Sequence, residues 1–502
     1  MFNSDSWQSH EEYHINFKRA KAKFSSELRL SLWEQFPLQR QKLLSLNLDS
    51  LGELLSQRYS PVGRPAEHQA QIFRSFLLFT MLLNRTDAGC SLTKWVNSVL
   101  PSNPVLIALI GCSSREDLPP LGSYYDLMNR LWDGSRDSYK NSSLLPAFKN
   151  GKKPKKNIGP DGKLVEPESD KHSTKQLVAQ ILSGDSLSAN PEGFLQDIFQ
   201  LVAVLPSVEK GLLSQESLTL SGDGTALSVH SSPFGRRQKP CDHPGDCPYH
   251  KSCPRHYSDP DADWGWDSHE KNWYFGRSLY MLCSRNADLK GEVPLSMKVM
   301  SARRHDSILF LHSIQEFRRH SPLVPKNVCL DSAHDNMPTY ELLEHWDINA
   351  LIDINGRNTR YDGLPPDITL DKTGQPLCLA GFPMAKWGFE KNKGGHKYRC
   401  PLKCGRVKEC SCTDQCSKSS YGRTVYIKTE RNLRFYPRIP RDSEQYRAIY
   451  SERSACERMN NRFLNDYHLQ ELKIRGDDHY SFWIMLIGIC IHLDARYKAN
   501  IL

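Results

Sequence analysis

Three acidic residues, Asp223, Asp331 and Glu457, stand where phosphodiester chemistry would want them. Asp223 lies in the strand-forming run 217–229, SLTLSGDGTALSV. Asp331 closes the short apolar run 326–331, KNVCLD, and Glu457 sits in the helical segment 443–466. Carboxylate oxygens are hard ligands that suit Mg2+ or Mn2+. Two such ions about 3.5–4 Å apart activate an attacking water or 3′-hydroxyl and steady the leaving oxygen. In such an arrangement Asp223 would be the acid shared by both ions. A single aspartate at a strand end is usually a cap or turn former, so the weight rests on all three together.

The segment around Glu457 adds to the pattern. At about 100° per residue, Tyr450, Arg453, Glu457, Asn460 and Leu464 share one narrow stripe. Ile449, Cys456, Met459 and Phe463 form the neighbouring apolar face, and Arg447, Arg458 and Arg462 a basic face beyond it. A helix so built can pack on a sheet, aim Glu457 at metal ions and offer Tyr450, Arg453, Arg458 and Arg462 to DNA phosphates. The bland alternative is a surface helix laced with local pairs such as Glu457 with Arg453.

Of the 15 cysteines, eight fall in two tight clusters. The first holds Cys241, His243, Cys247, His250 and Cys253, and the second Cys400, Cys404, Cys410, Cys412 and Cys416. In a reducing cytosol disulfides are not expected. The spacing of Cys400 with Cys404 and of Cys412 with Cys416 suits tetrahedral Zn2+. Each cluster could close a site of its own, with His250 or His243 in the first, or the two could meet in space. Reduced thiols in loops are the alternative.

The elements that must position these groups can be read from periodicity. Residues 217–229, 272–285 and 293–301 read as strands, 306–319 as a helix, 326–331 as a strand, 336–346 as a helix and 349–355 as a strand. With 443–466 as the last helix, that order is the order of an RNase H-like α/β fold with a mixed sheet. A segment at about 356–442 interrupts it, and the cysteine-rich loop 241–253 follows the first strand. Residues 181–502 are thus expected to form the catalytic domain. Residues 147–180, rich in Lys, Gly and Pro, read as a basic linker in which Lys152, Lys153, Lys155 and Lys156 could track a phosphate backbone. Residues 1–146 read as a helical domain. Its apolar run HQAQIFRSFLLFTMLLNR suggests about four helical turns, 91–100 a helix ended by Pro101, and 123–132 a third, either a helix-turn-helix reader of DNA ends or a packing domain.

Composition bounds the class. Hydrophobic residues at 39% and charged residues at 25% are ordinary for a globular protein of 502 residues and argue against a membrane protein. The run Phe482 to Leu493 is too short to span and carries His492, which predicts a buried helix. The N-terminal MFNSDSWQSHEEYH has no apolar signal core, so a cytoplasmic protein is expected. The net charge of +9 mildly favours a polyanionic partner.

The segments SGDGTAL, CLDSAHDN and YSERSACERMNNRF resemble the three catalytic motifs of bacterial insertion-sequence transposases with a DDE triad. The spacing of Tyr450, Arg453 and Glu457 is similar to the Tyr-Arg-Glu-Lys signature of one branch. That signature's lysine position holds Leu464 here, which leaves Arg458 or Arg462 to stand in for its phosphate contact. RPAEHQAQ, NPVLIALIGCSS and YYDLMNRLW resemble the helical leader of such enzymes. The resemblance implies binding of terminal inverted repeats in double-stranded DNA by a homodimer on paired ends, cleavage there, and joining of 3′-hydroxyls to target DNA. It also implies, for the signature branch, a hairpin intermediate with a base flipped against an aromatic ring, for which Trp264, Trp266, Trp273 and Trp387 are candidates. Another RNase H-like nuclease, a non-mobile domesticated DNA-binding protein, and a zinc-ribbon interaction protein are the rival expectations.

Overall fold

The computed structural model describes residues 2, 7–134, 144–145, 173–187, 190–233, 236–237, 255–356, 365–371, 373–412, 416–428 and 433–502. The first cysteine cluster and residues 147–172 of the expected linker lie outside the described residues. From Ser173 the chain is already helical, with Ser173 and Gln176 forming a capping box.

The N-terminal part is helical, as expected. Helices α1 to α4 cover His10–Ala22, Ser26–Glu34, Pro37–Ser45 and Asp49–Ser56. Helix α5, Gln69–Met81, is buried at every residue, as an all-round apolar helix must be. That removes α5 as a helix that reads DNA. Ser91 caps the next segment, but the helix does not stop before Pro101. It widens through a π-helical Trp95–Val99 and restarts at Leu100–Ser102, where Pro101 sits in a first turn that needs no N–H from it. Helices α6 (Pro104–Ile110), α7 (Leu121–Arg130), α8 (Thr174–Leu182) and α9 (Gly193–Phe199) follow. The chain continues from α9 through a π-helical turn into Leu205–Glu209.

The sheet is built from β1 (Thr219–Ser228), β2 (Asp263–Asp267), β3 (Asn272–Asn286), β4 (Gly291–Ser301), β5 (Asn327–Leu330) and β6 (Asn349–Ile352). Strand β3 pairs antiparallel with β1 on one side and with β4 and then β2 on the other. β1 pairs parallel with β5, and β5 parallel with β6. The spatial order β4–β3–β1–β5–β6, with an antiparallel half and a parallel half, is the expected RNase H-like mixed sheet. Helix α10 (Asp306–His320) connects β4 to β5, and α11 (Met337–His345) connects β5 to β6.

The last expected helix, 443–466, is broken into four pieces. These are α12 (Glu444–Tyr450), a 3-10 turn Ser451–Arg453, α13 (Ser454–Asn461) and a π-helical Arg462–Asp466. Cys456, Met459 and Phe463 stay buried through these changes of pitch, so the apolar face sets the path and the hydrogen-bond spacing adapts. Helix α14, Asp477–Lys498, packs on β4 and on α5. One core runs from the N-terminal helices through the sheet to α14. Among the described residues no helix is long and apolar enough to cross a membrane.

The interrupting segment contains an antiparallel sheet of β7 (Ala385–Glu390), β8 (Gly395–Arg399) and β9 (Thr424–Lys428) over a small core that includes Met384, Tyr398, Ile427 and Phe435.

Candidate active site

The run Ser221-Gly222-Asp223-Gly224 alternates along β1, and alternate residues face opposite sides of a sheet. Ser221 and Asp223 face α13. Cys456 Sγ lies 2.8 Å from the Ser221 carbonyl oxygen, and Asn460 Nδ2 donates to Asp223 Oδ2 at 3.0 Å. The two glycines face the other side. A Cβ on Gly222 would come within 2.6 Å of the Tyr280 hydroxyl, and one on Gly224 within 2.5 Å of Asp306 Oδ1. A side chain at either position would have to push aside the groups beneath it.

Strands β1 and β5 are last paired at Ser221 and Cys329. Asp223 and Asp331 each lie two residues beyond that pair, Asp223 still within β1 and Asp331 just past the end of β5, so they stand at the same level on neighbouring parallel segments. Asp331 caps the 3-10 turn Ser332–His334. Its Oδ1 accepts from the Ala333 amide at 3.0 Å and lies 2.6 Å from His334 Nδ1. Glu457 lies on α13, one turn before Asn460, and its Oε1 accepts from Arg453 at 2.7 Å. That i,i+4 pair is the one the surface-helix alternative foresees, yet Ala455, Cys456 and Met459 bury the other side of the same helix against the sheet.

The electrostatics mark this acidic cluster as short of positive charge. Burial, then the like charges of Asp306 and Asp331, push Asp223 up to about 7. Asp306 is raised as well, chiefly by burial with Asp331 adding to it. Burial works the same way on Asp331, but the His334 hydrogen bond and charge outweigh it and hold that carboxyl below its ordinary value. Hard oxygens crowded together, two of them raised, are the donor chemistry that a divalent cation satisfies. Asn460 Oδ1 is buried without a hydrogen-bond partner, and a metal-bound water can supply one. The residues therefore fit such an ion. Among the described residues no three carboxylate, histidine or cysteine side chains already stand at metal-holding positions.

The residues expected to meet DNA are engaged within the protein. Tyr450 stacks on Tyr446 and donates to the Leu330 carbonyl at 3.1 Å, which ties α12 to the end of β5. Arg458 pairs with Glu292 on β4, and its guanidinium also reaches Ser454 at 2.8 Å. Arg462 pairs with Asp494 on α14. Both arginines expected on an outward basic face thus have acidic partners distant in sequence, Arg458 remaining about half exposed and Arg462 more covered. Of the tryptophans, Trp266, Trp273 and Trp387 are about half exposed, and the first two pair across the β2–β3 hairpin. Trp264 packs on Phe275.

The second cysteine cluster occupies the connection between β8 and β9. Cys410 and Cys412 approach to 3.0 Å between sulfurs, and all five thiols are free. No four ligands converge there among the described residues, so the expected Zn2+ site finds no support in this cluster.

Three residues of the site escaped the sequence reading. Asp306 was hidden as a helix-start acid in RRHDSILF. His334 stood in plain view inside CLDSAHDN. Tyr280 looked like any strand aromatic.

A family model described as the transposase DDE domain matches residues 217–493, more than half of the chain. No curated protein matches it.

Proposed function

Since the chain belongs to the transposase DDE family of metal-dependent nucleases and strand transferases, we propose how it acts and with which residues. It binds terminal inverted repeats as a homodimer on paired ends, cuts the DNA there and joins the freed 3′-hydroxyls to target DNA. Asp223, Asp331 and Glu457 are the acids that hold Mg2+ or Mn2+. The observation that carries this reading is the level placement of Asp223 and Asp331 on adjacent parallel segments, with the Glu457 helix hydrogen-bonded to Asp223 through Asn460.

Bound ions supply the activation of the attacking oxygen and the neutralisation of charge on the leaving one. The protein's own groups do the rest. Asn460 orients Asp223 by holding Oδ2. Arg453 offsets the charge of Glu457 and holds its carboxylate through their i,i+4 pair. Tyr450 fixes the approach of that helix to the residue before Asp331.

The test uses the full chain and DNA fragments carrying the borders of its own gene. Asp223→Asn, Asp331→Asn and Glu457→Gln are each expected to abolish nicking in Mg2+ while end binding in a gel-shift assay stays near wild type. Wild-type nicking by any one of them would remove that acid from the triad. Joining of pre-cleaved ends to a plasmid separates a transposase from an RNase H-like nuclease that only cuts.

A further inference from the structure

His334 is fully buried beneath Asp331, and nothing in the chemistry above uses it. Its Nδ1 lies 2.6 Å from Asp331 Oδ1, and its Nε2 lies 2.8 Å from the hydroxyl of Tyr280, itself fully buried on β3. Facing a carboxylate, Nδ1 must be the donor whether the ring carries one N–H or two. The Tyr280 hydroxyl, which can donate or accept, satisfies Nε2 in either case. The rings of Tyr280 and Phe310 each lie 5.8 Å from the imidazole and clamp its plane.

Asp331 is thereby held through one oxygen alone. Oδ1 takes both the Ala333 amide and the imidazole, while Oδ2 accepts no hydrogen bond among the described residues. We infer that His334, backed by Tyr280, is a positioning residue that locks the rotation of the Asp331 carboxylate and leaves Oδ2 as the oxygen offered to a divalent cation. The inference rests on Asp331 being a metal-holding acid. Partners that orient a ligand typically change metal affinity by about 10–100-fold when lost.

The experiment titrates Mn2+ into the full-length protein without DNA and follows free Mn2+ by electron paramagnetic resonance, so no turnover is needed. His334→Asn and His334→Leu fill similar space, but only asparagine keeps a donor toward Asp331. His334→Leu is expected to weaken Mn2+ binding by about 10–100-fold, and His334→Asn to stay much closer to wild type. Equal losses in the two variants, or wild-type binding by a folded His334→Leu, would overturn the role. Tyr280→Phe removes a single hydroxyl and carries the test if the leucine variant does not fold. Weaker Mn2+ binding supports the relay, and unchanged binding refutes it. Asp331→Asn is the separate control: if it binds Mn2+ like wild type, the assignment of Asp331 as a metal-holding acid fails, whatever His334 does.

Discussion

The Asp306 carboxylate occupies the space that a side chain at Gly224 would need. Gly224→Ala forces a methyl to within 2.5 Å of Asp306 Oδ1, and either the Asp306 side chain or β1 must give way. The expected outcome is a loss of stability of about 1–3 kcal/mol, typical of overpacking, seen as a lower melting temperature. Nicking should fall further than that loss explains, because β1 carries Asp223. If Gly224→Ala nicks at the wild-type rate, the space beneath β1 is more forgiving than the geometry shows. At this scale the sequence was readable where a residue's neighbours in the chain told its story. Asp223 sits among small residues on a strand, and Asp331 closes a strand. Asp306 and His334 were not readable. What distinguishes them is proximity to groups that enter from β1 and β3, which no local spacing encodes.

At the scale of elements, Arg458 on α13 and Arg462 just beyond it fasten this segment to its surroundings. Arg462 reaches Asp494, whose side chain is largely buried and also meets Lys42 and the Tyr467 hydroxyl. Arg462→Ala leaves that carboxylate short of one partner, and an expected loss of about 1–3 kcal/mol follows from a buried charge left under-satisfied. Arg458 is nearly half exposed on its Glu292 pair, so Arg458→Ala should cost less than about 1 kcal/mol. Neither change should flatten the salt dependence of DNA binding. A slope reduced by about 0.9 per arginine would instead mean a phosphate contact. A second fastening joins α9 to α10. Burial disfavours charge on His320, but its hydrogen bonds to Asp197 and Glu316 win and raise it to about 9. The histidine binds its proton more tightly folded than unfolded. Its stabilisation is therefore full below about pH 6.5 and fades as pH rises toward 9. Thermal melts of wild type and His320→Gln should converge over that window, and parallel curves would refute the pairing. Strands were legible because alternation and branched residues leave a strong local mark. The broken last helix was not, because its pitch changes follow the sheet it packs on.

At the scale of the whole molecule, the helical leader and the catalytic sheet are not independent. The rings of Phe76 on α5 and Phe482 on α14 meet at 4.8 Å, and Lys42 on α3 reaches Asp494. A fragment beginning at residue 217 would expose the face of α14 that α5 covers, so it is expected to aggregate or to lose sharp thermal unfolding. A soluble, cooperative fragment would show the leader to be dispensable for folding. Within the shared core, His492 fulfils its expectation as part of a buried helix. Its Nδ1 lies 2.8 Å from Ser207 Oγ and its Nε2 2.7 Å from the Pro294 carbonyl, and burial holds it down to about 3. The unfolded chain takes up this proton near pH 6.5 while the folded one refuses it. Stability should thus fall by up to about 1.4 kcal/mol per pH unit below that point. His492→Gln should flatten this acid slope, and an unchanged slope would assign it to other groups.

The contact of α5 with α14 joins segments some four hundred residues apart, Cys490 Sγ lying 3.9 Å from the Leu77 carbonyl. A chain still emerging from the ribosome therefore holds its leader helices with one wall missing until residues 477–498 are out. A chain cut short before that helix is expected to leave the covered face of α5 open to water, and a soluble truncated chain that unfolds cooperatively would refute this.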